Sequence, residues 1–63
     1  MRVGDLVMTR RTIYGSGGRI PGGVYCEVEQ ATFVDGLWLY AVRWSGRAIY
    51  VEGSALVAVG TVR

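Results

Sequence analysis

The chain has 63 residues, a net charge of +2 and 51% hydrophobic residues, with one cysteine and no histidine. Such a composition excludes a disordered chain, and no apolar run approaches the ~20 residues of a membrane-spanning helix. A lone cysteine rules out an internal disulfide, and without histidine no zinc ligand set can form. A chain this short forms a single domain, residues 1–63, and buries only about 60% of its unfolded surface. Self-association or a partner is the remaining remedy for so small a core. A single cysteine suits a reducing compartment, so a cytoplasmic setting is expected. Met1-Arg2 leads straight into a strand pattern, and no signal peptide is expected.

Val3-Gly4-Asp5-Leu6-Val7-Met8 reads as the first strand, entered through a Gly-Asp turn. Arg10–Gly23 follows as a glycine-rich loop that holds the only proline. Loops this long are often functional, and Gly15, Gly17 and Gly18 allow positive φ and close approach. Most of the positive charge lies in this first third: Arg2, Arg10, Arg11 and Arg19 stand against Asp5 alone. Residues 24–34, 37–44 and 47–52 are rich in aromatic and branched side chains and read as three successive strands. Gly53-Ser54 interrupts the pattern, and Ser54-Ala55-Leu56 is expected to make one helical turn capped by Ser54. Val57-Ala58-Val59 is the last strand and Gly60–Arg63 a tail.

The two-residue turn at Ser45-Gly46 sets the central hairpin, so that Trp44 faces Arg47, Val42 faces Ile49 and Tyr40 faces Val51. Alternation then gives a core face of Trp38, Tyr40, Val42, Trp44, Ile49 and Val51. For the preceding turn the choice is between two registers. A two-residue Asp35-Gly36 loop pairs Val34 with Leu37 and, carried along the strand, turns Glu27 and Glu29 into the core. Burying unpaired carboxylates is costly. A three-residue loop, Val34-Asp35-Gly36, instead sets Val28 opposite Val42, Cys26 opposite Trp44 and Glu27 opposite Arg43. This second register is the expected one. It gathers Phe33, Leu37, Leu39, Ala41 and Tyr50 on the outer face as a contiguous apolar patch, and such patches mark contact sites.

The residue set argues against catalysis. Gly15-Ser16-Gly17-Gly18 lacks the lysine and the following helix of a phosphate loop. Ser16, Ser45 and Ser54 have no histidine to activate them, and Cys26 is expected to point inward as a small hydrophobe. The basic loop carries a binding reading instead: Arg10, Arg11 and Arg19 can neutralise phosphates while Tyr14 stacks on an unpaired base.

Five short strands, a long first loop and one helical turn before the last strand resemble the SH3-like small barrel, in the KOW and Tudor-like sense. Val3-Gly4-Asp5-Leu6-Val7, Ala41-Val42-Arg43-Trp44 and Ala55-Leu56-Val57-Ala58-Val59 carry this resemblance. It implies an all-β, five-stranded barrel. Gly4-Asp5, Gly23 with Tyr25-Cys26, Tyr40-Ala41-Val42, Ile49-Tyr50 and Ala55-Leu56 also resemble the plasmid-borne type II dihydrofolate reductases. That likeness implies a homotetramer around a central pore, with NADPH as cofactor and Ile49-Tyr50 on the pore strand. Ala48 stands where that family has its ligand-binding glutamine, and Thr9 with Arg10 lies where it has its pore lysine. Together these observations give a small non-enzymatic interaction module without cofactor or metal. Its expected contact is with protein, as a homo-oligomer or in a larger assembly, through Phe33, Leu37, Leu39, Ala41 and Tyr50; size and composition fit a small phage or prophage protein. A nucleic-acid-binding barrel using Arg10, Arg11, Tyr14 and Arg19 is the first alternative, and the reductase is the second.

Overall fold

A computed structural model describes residues 1–15 and 18–61; Ser16, Gly17, Val62 and Arg63 lie outside the described residues. The fold is all-β, with β1 (Asp5–Thr9), β2 (Ile13–Gly15), β3 (Gly18–Ile20), β4 (Tyr25–Val34), β5 (Leu37–Trp44), β6 (Arg47–Glu52) and β7 (Leu56–Thr61). A five-stranded antiparallel sheet runs in the order β6-β5-β4-β1-β7, and β2 and β3 form a separate two-stranded ribbon. No closure between the outer strands β6 and β7 joins the sheet into a full barrel among the described residues. Among those residues no helix is long and apolar enough to cross a membrane.

The β5–β6 hairpin has the expected pairs, Trp44 with Arg47, Val42 with Ile49 and Tyr40 with Val51. Ser45 and Gly46 both take positive φ, 54° and 77°, the signature of a type I′ turn whose twist matches that of the strands. The core collects Val7, Cys26, Val28, Tyr40, Val42, Ile49, Val51 and Leu56 from the sheet. Trp38 is the exception on the expected core face: it is half exposed, because β5 runs past the body of the sheet at that end.

The β4–β5 turn departs from expectation. Val34 does pair with Leu37, and Asp35 and Gly36 form a second two-residue turn with φ of 51° and 79°. Nevertheless Val28 faces Val42 and Glu27 faces Arg43, as burial requires. Both hold because Glu29 is an extra residue: the register shifts between Val28 and Gln30, a β-bulge that reverses the facing of everything beyond it. The three-residue loop is therefore replaced by a tight turn plus a bulge. Arg43 reaches Glu29 in an ion pair on the exposed face, and that carboxylate holds the guanidinium more firmly in its charged form.

Within the expected loop Arg10–Gly23 the described residues include the two strands of the β2–β3 ribbon. Ile13 pairs with Ile20, and both are buried in the core. Burying these two side chains stabilises a ribbon whose glycine content weakens it locally. Thr9 clasps the ribbon's base. It is 1% exposed; its hydroxyl donates to the Pro21 carbonyl (2.7 Å) and accepts from the Val24 N–H (3.1 Å). The Thr9 carbonyl accepts from Gly23 N–H at 2.8 Å. At the other end Gly15 lies against β6: a Cβ there would stand 2.7 Å from the Tyr50 carbonyl oxygen. The short helix before β7 spans Gly53–Ala55, one residue earlier than expected, and Glu52 rather than Ser54 occupies its cap position, without a side-chain hydrogen bond. The last strand extends through Gly60 and Thr61, which were expected in the tail.

Two outcomes are expected. Thr9→Val, which strands a part-buried carbonyl and N–H, should lower unfolding free energy by about 1–3 kcal/mol, with Thr9→Ser recovering most of it. Gly15→Ala, which collides with fixed backbone, should cost roughly 1–3 kcal/mol in chemical denaturation.

Candidate functional site

The bulge at Glu29 divides the expected contact patch. Beyond it Phe33 pairs with Trp38 and Ala31 with Tyr40, which puts Phe33 on the core face of the sheet. Leu37, Leu39, Ala41 and Tyr50 remain together on the outer face, where Ala41 pairs with both Gln30 and Tyr50. The Tyr50 hydroxyl reaches Gln30 Oε1 at 3.4 Å, so its ring spans Ala41 and accounts for that residue's burial. Leu37 is exposed at the hairpin end and Leu39 is half-buried. Phe33 instead packs on Trp38, ring centroids 5.3 Å apart, and Trp38 stacks on Tyr40 at 6.2 Å.

The expected basic loop is divided as well. Arg10 turns to β7: its N–H donates to the Ala55 carbonyl at 2.9 Å and its Nε to the Leu56 carbonyl at 3.4 Å. Arg19 sits opposite Tyr14 on the ribbon and lines a small groove of about 240 Å³ with Trp44 and Arg47. Arg11 and Tyr14 go elsewhere. Together with Leu39 and Tyr50 they line the larger groove of about 490 Å³, between the ribbon, the outer face of β6 and the short helix. Strand alternation explains the arrangement. Ile13 is buried, so Tyr14 must face out, and it is 79% exposed. Sequence reasoning assigned Tyr14 and Tyr50 to separate sites, because nothing local reports that the ribbon folds onto β6.

Glu52 and Thr12 also line this larger groove, and neither was anticipated. Only the alternation of β6, which puts Tyr50 and Glu52 on the same face, could have signalled Glu52. Its carboxylate offsets the charge of Arg11, so the groove joins two phenol rings and a leucine with one cation and one anion. Such a lining suits a neutral or mixed-charge chain better than a run of phosphates, which the carboxylate would repel.

Cys26 is 3% exposed, and burial pushes its thiol pKa up, away from the reactive thiolate. Ser16 lies outside the described residues. No group of three or more metal-ligating side chains forms among the described residues. Of the Ile49-Tyr50 pair, Ile49 is buried in the core and only Tyr50 faces outward, as strand alternation demands.

The Cys26 thiol should therefore react with an alkylating reagent only through opening of the sheet. Labelling at pH 8 is expected to be slower than for a free thiol by roughly a thousandfold and to accelerate with sub-denaturing urea. A rate near that of a free thiol contradicts the packing described here.

No known protein-family model matches this chain, and no curated protein or solved structure matches it significantly.

Proposed function

We propose that the chain is a small SH3-like interaction module, non-enzymatic and free of cofactor, that contacts protein through the outer face of β5 and β6 in a homo-oligomer or larger assembly. The fold reading is supported by the strand order β7-β1-β4-β5-β6, with a ribbon inserted after the first strand and a single helical turn before the last. That connectivity is the one expected of KOW- and Tudor-like barrels. A single observation carries the functional reading: Leu39 and Tyr50 of the apolar face share one groove with Tyr14 of the ribbon and with Arg11 just before it. Exposed tyrosine beside leucine, with isolated charges at the margin, is the composition of protein contact sites. A cytoplasmic setting belongs to this reading and is supported by the single buried thiol.

A second reading, nucleic-acid binding, draws on the smaller groove. Arg19 and Arg47 flank Trp44 there, with Tyr14 across the ribbon from Arg19. Two guanidinium groups beside an indole can hold a phosphate and a base.

Selection of a random displayed-peptide library against the immobilised protein tests the first reading. Selected peptides should perturb the amide resonances of Arg11, Tyr14, Leu39 and Tyr50, and Leu39→Glu should weaken them at least roughly tenfold. No enrichment, or perturbation confined to other residues, counts against it. The second reading expects a single-stranded oligonucleotide to bind at low salt and to be lost steeply as salt rises. An absence of binding at low salt removes it.

A further inference from the structure

The β4–β5 hairpin overhangs the rest of the sheet. On one side β6 stops pairing at Leu39, opposite Glu52. On the other, β1 pairs with β4 only over Tyr25–Glu27, and the last hydrogen bond along that edge runs from Gly4 N–H to the Val28 carbonyl at 2.8 Å. Past the bulge, the β1-side edge of β4 from Gln30 to Val34 meets no strand among the described residues. Hydrogen bonding in the hairpin identifies which groups are left over. In a two-residue turn the flanking residues, Val34 and Leu37, form a hydrogen-bonded pair, and such pairs alternate along the ladder. Thr32 therefore bonds to Leu39 within the hairpin. Ala31 and Phe33 aim their N–H and C=O groups outward at the free edge.

Natural sheets defend such edges with charged side chains, proline or a bulge within the exposed stretch. Gln30-Ala31-Thr32-Phe33-Val34 has no charge and no proline, and the bulge lies before it. The sheet's two edge strands are differently furnished: the Arg10 guanidinium lies on the Leu56 carbonyl at the start of β7, and Gly15 of the ribbon lies against the Tyr50 carbonyl of β6.

We infer that Ala31–Phe33 pairs antiparallel with the same segment of a second copy, forming a two-fold dimer through the β4 edge. The two-fold axis passes between the Thr32 residues of the two copies. In that register Ala31 of each copy exchanges both backbone hydrogen bonds with Phe33 of the other, so four N–H···O bonds use all the outward groups of these residues. The side chains agree with this register. On the core face, the large Phe33 of one copy lies beside the small Ala31 of the other and extends the Phe33–Trp38–Tyr40 ring stack. On the outer face Thr32 meets Thr32, a favourable cross-strand pair. A register shifted two residues in one direction brings Phe33 against the bulged Glu29, and in the other it brings Ala31 against the turn. A second copy is the occupant because the segment is complementary to itself in hydrogen bonding and size and carries no charge of its own. The dimer leaves the Tyr14–Tyr50 groove open and does not depend on the protein contact proposed for it.

The test is solution mass by analytical ultracentrifugation across a concentration series. Wild type should reach twice the 6.9 kDa of one chain. Thr32→Lys and Thr32→Glu each put like charges face to face and should weaken the dimer by roughly tenfold or more. Mixed one to one, the two variants should regain a heterodimer as strong as the wild-type dimer or stronger. Leu39→Glu should still leave a species of twice the chain mass, so any larger assembly it dissolves belongs to the outer face of β5 and β6 and not to the β4 edge. Should a Thr32 variant unfold, a synthetic chain N-methylated at Phe33 removes only the outward N–H and should be monomeric with an unchanged circular dichroism spectrum. A wild-type monomer throughout, a dimer indifferent to Thr32 charge or to the methyl group, or a mixture that stays monomeric overturns the inference. Capture of a foreign strand by a monomeric wild type does so too, and assigns the edge to a heterologous peptide.

Discussion

The register of β4 against β5 is the constraint on which the rest of the molecule depends. Val28 must face the core and Glu27 must face water, which fixes the strand at one end. Asp35-Gly36 strongly favours a two-residue type I′ turn, which fixes it at the other. The two requirements differ by one residue, and in a strand one residue exchanges the faces. Looping out Glu29 satisfies both. The bulge costs a local gap in the ladder, which the Arg43–Glu29 pair covers at the surface. Its larger effect is downstream: Phe33 moves to the core face, the outer patch narrows to Leu37, Leu39, Ala41 and Tyr50, and an unguarded strand edge remains beyond β1.

The ribbon is the second determinant. Ile13 and Ile20 of the ribbon are part of the same buried cluster as the side chains of the sheet. Thr9 makes that packing possible by satisfying the backbone where the chain leaves and re-enters the sheet. Once Ile13 is inside, Tyr14 is outside by alternation, and Gly15 allows the ribbon to lie close on β6. The groove is a consequence of this packing. Tyr14 and Tyr50 are far apart in sequence and become neighbours because one glycine permits backbone contact. The same packing sends Arg10 to the Leu56 carbonyl, Arg11 to the larger groove and Arg19 to the smaller one.

Parts of this were legible from the residues alone. Ser45-Gly46 between two apolar runs gave the pairing of β5 with β6, and period-two alternation marked Tyr40, Val42, Ile49 and Val51 as core. The cost of burying Glu27 identified its pairing with Arg43. These inferences hold because turn chemistry and side-chain alternation act over a few residues, and the penalty for a buried carboxylate is large enough to decide between registers by itself.

An all-β chain, its central hairpin and most of its core face follow from short-range patterns of residues. Three features emerge only on folding: the ribbon of β2 and β3 within the glycine-rich stretch, the bulge that absorbs the register conflict in place of a longer turn, and the groove shared by Tyr14, Leu39 and Tyr50. The physical reason is the range of the forces involved. A bulge is the compromise between two local preferences some eight residues apart, and neither preference reports the other. The ribbon's order comes from burial of Ile13 and Ile20 in a core that exists only once the sheet has formed.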